Sequence, residues 1–141
     1  MSTAISTSPD PASPGRGAVR AGWALSVVAI LFFLMDGGLK LAYLPIVAET
    51  SAQLGWPADR ATVYLLATLL LGSTLLYAIP RTAMLGAILL TGYLGGAVAT
   101  HVRVGSPLFS HILFGVYLGV IVWAGLWLRD PRLRALIPLR N

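Results

Sequence analysis

The chain is organised around residues 91–111, which read TGYLGGAVATHVRVGSPLFSH. An apolar stretch rich in small residues ends at Thr100, a polar elbow follows at residues 101–107, and a second apolar run begins beyond it. Two histidines, one arginine and two serines lie in or beside this elbow. Because the flanking runs carry no charge, this concentration of polar groups makes the elbow the best candidate site.

The composition places the chain among membrane proteins. Of its 141 residues, 57% are apolar and only 11% are charged, which is outside the range of soluble globular domains. A spanning helix needs roughly 20 mostly apolar residues, and four segments approach that length: 21–44, 61–79, 82–100 and 107–128. We therefore predict an all-α integral membrane protein, an antiparallel four-helix bundle that forms one domain over residues 19–141 and has the lipid bilayer as its main partner.

The segments around the spans predict how the bundle is connected. Residues 1–18 are rich in Ser, Thr, Pro and Gly, which predicts a disordered tail. Pro45 ends the first span, and residues 46–54 are expected to form a short interfacial helix. The apolar residues of the C-terminal tail are expected to rest on the lipid headgroups; they are Leu133, Leu136, Ile137 and Leu139.

The distribution of Lys and Arg predicts the orientation. Most of these residues lie in the N-terminal tail, the turn at Arg81 and the C-terminal tail, whereas only Arg60 and Arg103 flank the other ends of the spans. We therefore expect the protein in the inner (plasma) membrane of the cell, with both termini in the cytoplasm and the elbow on the outer side. The net charge of +5 lies beside the spans and does not indicate a nucleic-acid partner.

The topology predicts one polar ligand site at the outer end of the bundle. Asp36 and Lys40, at positions i and i+4 of the first span, face the same half of the membrane as the elbow. The candidate ligand-binding residues are Asp36, Lys40, His101, Arg103, Ser110 and His111. Histidine and arginine can donate hydrogen bonds to the carbonyl of an amphiphile such as a quinone, and we expect Asp36 to hold one histidine. In the alternative interpretation these side chains are solvated helix ends, and Asp36 and Lys40 neutralise each other.

The residue types also limit the cofactors. The absence of Cys excludes disulfides and iron–sulfur clusters. A b-type haem is disfavoured because His101 and His111 flank a tight elbow, and two histidines with Asp36 or Glu49 have no recognised metal-site spacing. The residue types leave the cofactor open, with a quinone as one that the polar pocket suits, and neither a metal site nor a catalytic residue is predicted.

Small residues in the third span predict close helix packing. Ala83, Ala87, Thr91, Gly95 and Ala99 follow one another at intervals of four, with Gly92 and Gly96 beside them. Gly115 and Gly119 in the fourth span are expected to form the complementary groove. The partner of this stripe is either within the chain or in a homo-oligomer, and the second case leads to the alternative function of a structural or interaction protein that binds no ligand.

Four stretches of the chain carry a family resemblance: residues 80–103 (PRTAMLGAILLTGYLGGAVATHVR), 107–111 (PLFSH), 128–138 (LRDPRLRALIP) and 36–40 (DGGLK). They resemble the DoxX-like family of small bacterial four-span membrane proteins. The resemblance implies a four-helix bundle and a distant link to membrane subunits of thiosulfate:quinone oxidoreductase. Many members of the wider group carry a Glu in the second span, and residues 63–77 here have none. We therefore expect the protein to be an accessory component that works with partner subunits of a redox system, and we favour this function over that of an enzyme acting alone.

Overall fold

Lipid requires that backbone N–H and C=O groups be satisfied within the segment that spans the membrane, which favours helices. The computed structural model of the protein describes residues 15–136, and these form helices and turns. The helices are α1 (Arg16–Ala42), α2 (Pro45–Gln53), α3 (Arg60–Ala78), α4 (Ala83–Arg103), α5 (Leu113–Arg129) and α6 (Pro131–Leu136), with a π-helical turn, Leu108–Ile112, directly before α5. Helices α1, α3, α4 and α5, the last counted with its π-helical turn, are long and apolar enough to cross a membrane. The protein is thus a multi-pass membrane protein with an all-α bundle.

The four long helices pack as a closed ring. Helix α1 contacts α3 and α5, and α4 contacts the same two helices from the other side. The buried residues of α1 recur every three or four positions: Gly22, Ser26, Ala29, Phe33 and Gly37. The opposite faces are also apolar, and Leu31, for example, is 62% exposed. Apolar residues on both faces fit a helix that has protein on one side and lipid on the other.

Both ends of the chain differ in part from the sequence-based expectation. Helix α1 already begins at Arg16, so residues 16–18 of the predicted disordered tail are helical, while residues 1–14 lie outside the described residues. At the other end, Asp130 ends α5 and Pro131 starts α6, which turns the chain back against the bundle. Leu133 is consequently buried in the core and does not rest on headgroups; Ile137 and Leu139 lie outside the described residues.

Helices α1 and α5 approach each other most closely at two glycines. A Cβ placed on Gly22 would lie 2.8 Å from the backbone N of Arg129 and 2.8 Å from the backbone O of Gly125. A Cβ on Gly125 would lie 2.7 Å from Oγ of Ser26. Only residues without a side chain allow this crossing, so the two glycines set the distance between α1 and α5.

Helix α3 begins at a side-chain cap. Oδ1 of Asp59 accepts a hydrogen bond from the backbone N–H of Thr62 at 3.0 Å, and its other oxygen accepts one from the Thr62 hydroxyl at 2.8 Å. These two bonds hold the pKa of Asp59 below its ordinary value, and the backbone N–H makes the larger contribution. The cap fixes the start of α3 right after the segment that returns from α2.

Candidate functional site

A cavity of about 560 Å³ lies at the elbow end of the bundle. We call it the elbow cavity. Helices α1, α4 and α5 form most of its wall, to which α3 adds Leu66, and α2 lies over it with Ile46, Val47, Thr50 and Ser51 on its lining. The volume is within the range of roughly 300 to 1,000 Å³ that is typical of sites for small molecules.

Four of the six predicted ligand-binding residues line the elbow cavity: Asp36, Lys40, His101 and His111. Asp36 and Lys40 come from α1, whereas the two histidines come from the end of α4 and the π-helical turn before α5. Aromatic and aliphatic side chains make up much of the remaining lining, among them Phe32, Phe33, Leu66, Phe114 and Leu118. The cavity thus combines a small set of ionisable groups with a largely apolar wall.

The Asp36 carboxylate is bonded to the Lys40 ammonium one helical turn away. Both side chains are partly exposed, and the pair forms within α1 without help from another helix. The expectation that Asp36 holds a histidine is therefore not met, because the carboxylate has a nearer cationic partner on its own helix. Paired in this way, the two groups place a local dipole on the wall with little net charge.

Each histidine is held by a serine. Nδ1 of His101 lies 2.9 Å from Oγ of Ser106, and Nδ1 of His111 lies 2.8 Å from Oγ of Ser110. The two imidazole rings meet edge to face with their centroids 5.6 Å apart. Since Nδ1 is occupied in both rings, Nε2 is the nitrogen that each ring can offer to a ligand.

The π-helical turn explains how His111 comes to the cavity. Gly105 has a φ of +70°, which lets the chain reverse after α4, and the backbone N–H of Ile112 then donates to the carbonyl of Pro107 at 3.2 Å. The wider turn shifts the side chains that follow relative to a regular α-helix. In this arrangement His111 packs against His101.

Arg103 and Ser110 do not belong to the cavity lining, although both were predicted as ligand-binding residues. Nη2 of Arg103 donates to the backbone carbonyl of Leu54 at 2.7 Å, where α2 ends. The next residue, Gly55, has a φ of +71°, and a side chain at this position would contact the same guanidinium. Arg103 therefore ties the end of α4 to α2, and Ser110 contributes through its contact with His111.

Tyr93 is a lining residue that the sequence analysis missed. It lies eight residues before His101, with Ala97 between them, and all three line the elbow cavity. Residues four apart lie on one face of a helix, so the spacing from His101 was a usable signal. The same rule connects Phe32, Asp36 and Lys40 on α1.

Within residues 15–136, Gly92, Gly95 and Gly96 of the small-residue stripe pack against no other helix. A Cβ on Gly92, Gly95 or Gly96 would meet no atom within 4 Å, and all three residues are exposed. Gly92 and Gly96 line the elbow cavity instead, and Gly95 does not. In α5, Gly115 does pack closely on α4, with its Cβ position 2.8 Å from the Val98 side chain, while Gly119 makes ordinary contact with Leu94. The glycine of α4 that packs closely is Gly86, whose Cβ position lies 2.2 Å from the backbone N of Tyr77 in α3, whereas Gly92, Gly95 and Gly96 leave open space.

No three His, Asp or Glu side chains among residues 15–136 come together in a way that could hold a metal ion. The arrangement can instead supply donors: the Lys40 ammonium, and Nε2 of either imidazole in the tautomer that carries its proton there. These donors lie at the end of an apolar cavity. The chemistry available is hydrogen bonding to an acceptor such as a carbonyl oxygen.

Comparison with known proteins identifies one family. The sequence model of the DoxX-like family matches residues 24–125, which is most of the described bundle. No curated protein and no solved structure matches the chain significantly. The matched range includes all the ionisable residues of the elbow cavity.

Proposed function

The chain belongs to the DoxX-like family, and from this premise together with the elbow cavity we propose that the protein binds a lipophilic molecule with a polar head. A quinone is the first candidate, and the protein acts as a non-catalytic accessory component of a membrane redox system. The observation that carries the proposal is the convergence of Asp36, Lys40, His101 and His111 at one cavity of about 560 Å³.

The polar end of the cavity suits a carbonyl head group. Lys40 and the histidine Nε2 positions supply hydrogen-bond donors, and a carbonyl oxygen accepts such bonds without adding charge. Because Asp36 already neutralises Lys40, a neutral head group is favoured over an anionic one. The ligand would therefore bind through hydrogen bonds and burial of apolar surface more than through ionic attraction.

The apolar part of the cavity suits a hydrocarbon tail. Phe32 and Phe114 lie edge to face at 5.4 Å between α1 and α5, and both line the cavity. Phe114 is 43% exposed on the outside of the bundle, where lipid is expected. A tail that follows these rings would pass from the cavity into the bilayer.

The orientation follows from the positive residues and belongs to the same proposal. Arg16, Arg20 and Arg81 lie at the bundle end opposite the elbow cavity, together with Arg129, Arg132 and Arg134. Because cytoplasmic segments of membrane proteins carry an excess of Lys and Arg, this distribution supports a cytoplasmic position for this end and a position at the outer side of the inner membrane for the elbow cavity.

The test uses two neighbouring glycines of α4. Gly96 lines the elbow cavity and Gly95 does not, yet a side chain on either one has free space at its Cβ. Gly96→Leu should fill the cavity and remove the bound molecule, whereas Gly95→Leu should keep it. The measurement is mass spectrometry of lipophilic molecules that co-purify with the wild type, both glycine variants and His101→Ala in detergent.

The outcomes separate the two functions. A defined amphiphile that is retained by wild type and Gly95→Leu and lost from Gly96→Leu and His101→Ala supports ligand binding. If no variant and no wild-type sample retains one, while Gly95→Leu alone disrupts an oligomer, the protein is a structural or interaction component that associates through the exposed face of α4.

A further inference from the structure

A second cavity, of about 280 Å³, lies at the opposite end of the bundle. Three arginines line it, and we call it the arginine cavity: Arg81 from the turn between α3 and α4, Arg129 at the end of α5, and Arg132 in α6. The remaining lining consists of Trp23, Pro80, Ala83, Leu126 and Asp130. Because three positively charged side chains from separate parts of the fold lie together at one end of the bundle, we expect a negatively charged ligand there.

Arg129 is the buried member of this group, with only 9% of its surface exposed. Its Nη2 donates to the carbonyl of Tyr77 at 2.9 Å, one of the carbonyls that the end of α3 leaves without a helical partner. Its guanidinium also lies over the rings of Trp23 and Tyr77, at 4.3 and 4.9 Å from their centroids. Within residues 15–136, Nε and Nη1 have no hydrogen-bond partner.

Buried donors on a permanently charged group are costly to leave without acceptors. The aromatic rings stabilise the charge of Arg129, but they accept no conventional hydrogen bond from Nε and Nη1. An anionic ligand with several oxygens would supply both the acceptors and the charge. Guanidinium groups bind phosphate in this way through paired N–H donors.

The charge balance around the cavity also favours an anion. Asp130 is the one carboxylate on the lining, and its Oδ1 accepts a hydrogen bond from the backbone N–H of Arg132 at 2.9 Å. Three arginines against one aspartate leave an excess of two positive charges at the lining. Within residues 15–136 no ion pair neutralises this excess, because the pair of Asp36 and Lys40 lies at the other end of the bundle.

We propose that the arginine cavity binds a phosphate group, which the buried Arg129 contacts from inside the cavity and Arg81 and Arg132 contact at its entrance. The headgroup of an anionic phospholipid and free phosphate share this chemistry. The position at the ends of the spanning helices, with Trp23 and Leu126 on the lining, favours the lipid. The site is separate from the elbow cavity, and Arg129 and Arg132 lie beyond the residues that the family match covers.

The experiment is a lipid titration of the full chain in detergent, followed by native mass spectrometry. Phosphatidylglycerol should saturate one site, and phosphatidylcholine should bind more weakly. Arg81→Gln and Arg132→Gln should each weaken phosphatidylglycerol binding roughly five-fold, the effect of about one basic side chain near an anionic lipid. Arg20→Gln is the matched control, because Arg20 is exposed at the same end of the bundle and does not line the cavity.

Inorganic phosphate, added at constant ionic strength, distinguishes the two sources. If it raises the melting temperature of the wild type and displaces the lipid, free phosphate is also a ligand; if only the lipid binds, the site is a headgroup site. Arg129→Gln should lose binding more completely, and the two entrance variants keep the test valid if that variant unfolds. Equal binding of both lipids with no effect of phosphate, or an equal loss in Arg20→Gln, would overturn the proposal.

Discussion

Replacing Gly22 by Ala tests the close crossing of α1 and α5. The added Cβ would lie 2.8 Å from backbone atoms of Arg129 and Gly125, and ordinary contacts begin at 3.4 Å, so the helices must separate by the difference, 0.6 Å. Overpacking of this kind costs about 1 to 3 kcal/mol. The clash involves backbone atoms, which have no rotamer that would relieve it.

Gly38→Ala is the matched control because Gly38 lies in the same helix and its Cβ position has no atom within 4 Å. The change should be neutral or should stabilise the helix by up to about 1 kcal/mol through the better helix propensity of Ala. The two variants are therefore expected to differ by about 1 to 4 kcal/mol in the free energy of unfolding.

The assay is reversible unfolding in mixed micelles with increasing sodium dodecyl sulfate, followed by circular dichroism. Gly22→Ala should shift the midpoint to lower detergent fraction, and Gly38→Ala should not. If both variants unfold at the wild-type midpoint, the crossing at Gly22 is not as close as described, and the reasoning about α1 and α5 is refuted.

Two further predictions concern the ends of the helices. Arg103→Gln removes the hydrogen bond to the Leu54 carbonyl, which should cost about 0.5 to 1.5 kcal/mol of local stability. Hydrogen exchange of the α2 amides should therefore become roughly 2- to 12-fold faster, while the α3 amides exchange at the wild-type rate. If the α2 amides also exchange at the wild-type rate, Arg103 does not hold this helix. Asp59 has a lowered pKa, so its contribution to stability is complete above its ordinary value of 3.8 and is lost as pH falls through the lower folded value. Asp59→Asn should therefore flatten the acid limb of the stability profile in that range, and an unchanged limb would contradict the role of the cap.

The helices could be predicted from the sequence because lipid imposes a simple rule on length and composition. Residues 82–100, for example, were predicted as a span, and α4 runs from Ala83 to Arg103. Pro45 marks the break between α1 and α2 for a local reason, since proline favours the first turn of a helix and disrupts its interior.

The packing of glycines could not be predicted in the same way. In a membrane, lipid-facing and protein-facing residues are both apolar, so spacing alone does not tell which face of a helix is buried. Gly95 belongs to the longest small-residue stripe and has open space around it, whereas Gly22 belongs to the shorter run of Ala18, Gly22 and Ser26 and contacts the α5 backbone. Which glycine packs depends on where two helices cross.

The candidate site was partly predictable for topological reasons. An antiparallel bundle brings the end of the first span to the same side as the elbow, and Asp36, Lys40, His101 and His111 all line one cavity there. The contacts of Arg103 were not predictable, because they depend on the position of α2. The burial of Arg129 likewise depends on Tyr77 and Trp23, which are distant in sequence.

The most direct test of the account is photoaffinity labelling of the purified protein with an azidoquinone, followed by peptide mapping. A quinone bound in the elbow cavity should label residues 32–40 of α1, residues 93–101 of α4, and residues 111–118 of the π-helical turn and α5, and these labels should disappear when excess unlabelled quinone is present. Gly95→Leu should keep these labels and Gly96→Leu should lose them. Labels confined to lipid-facing residues, or labels that excess quinone does not reduce, would contradict a quinone site in the elbow cavity.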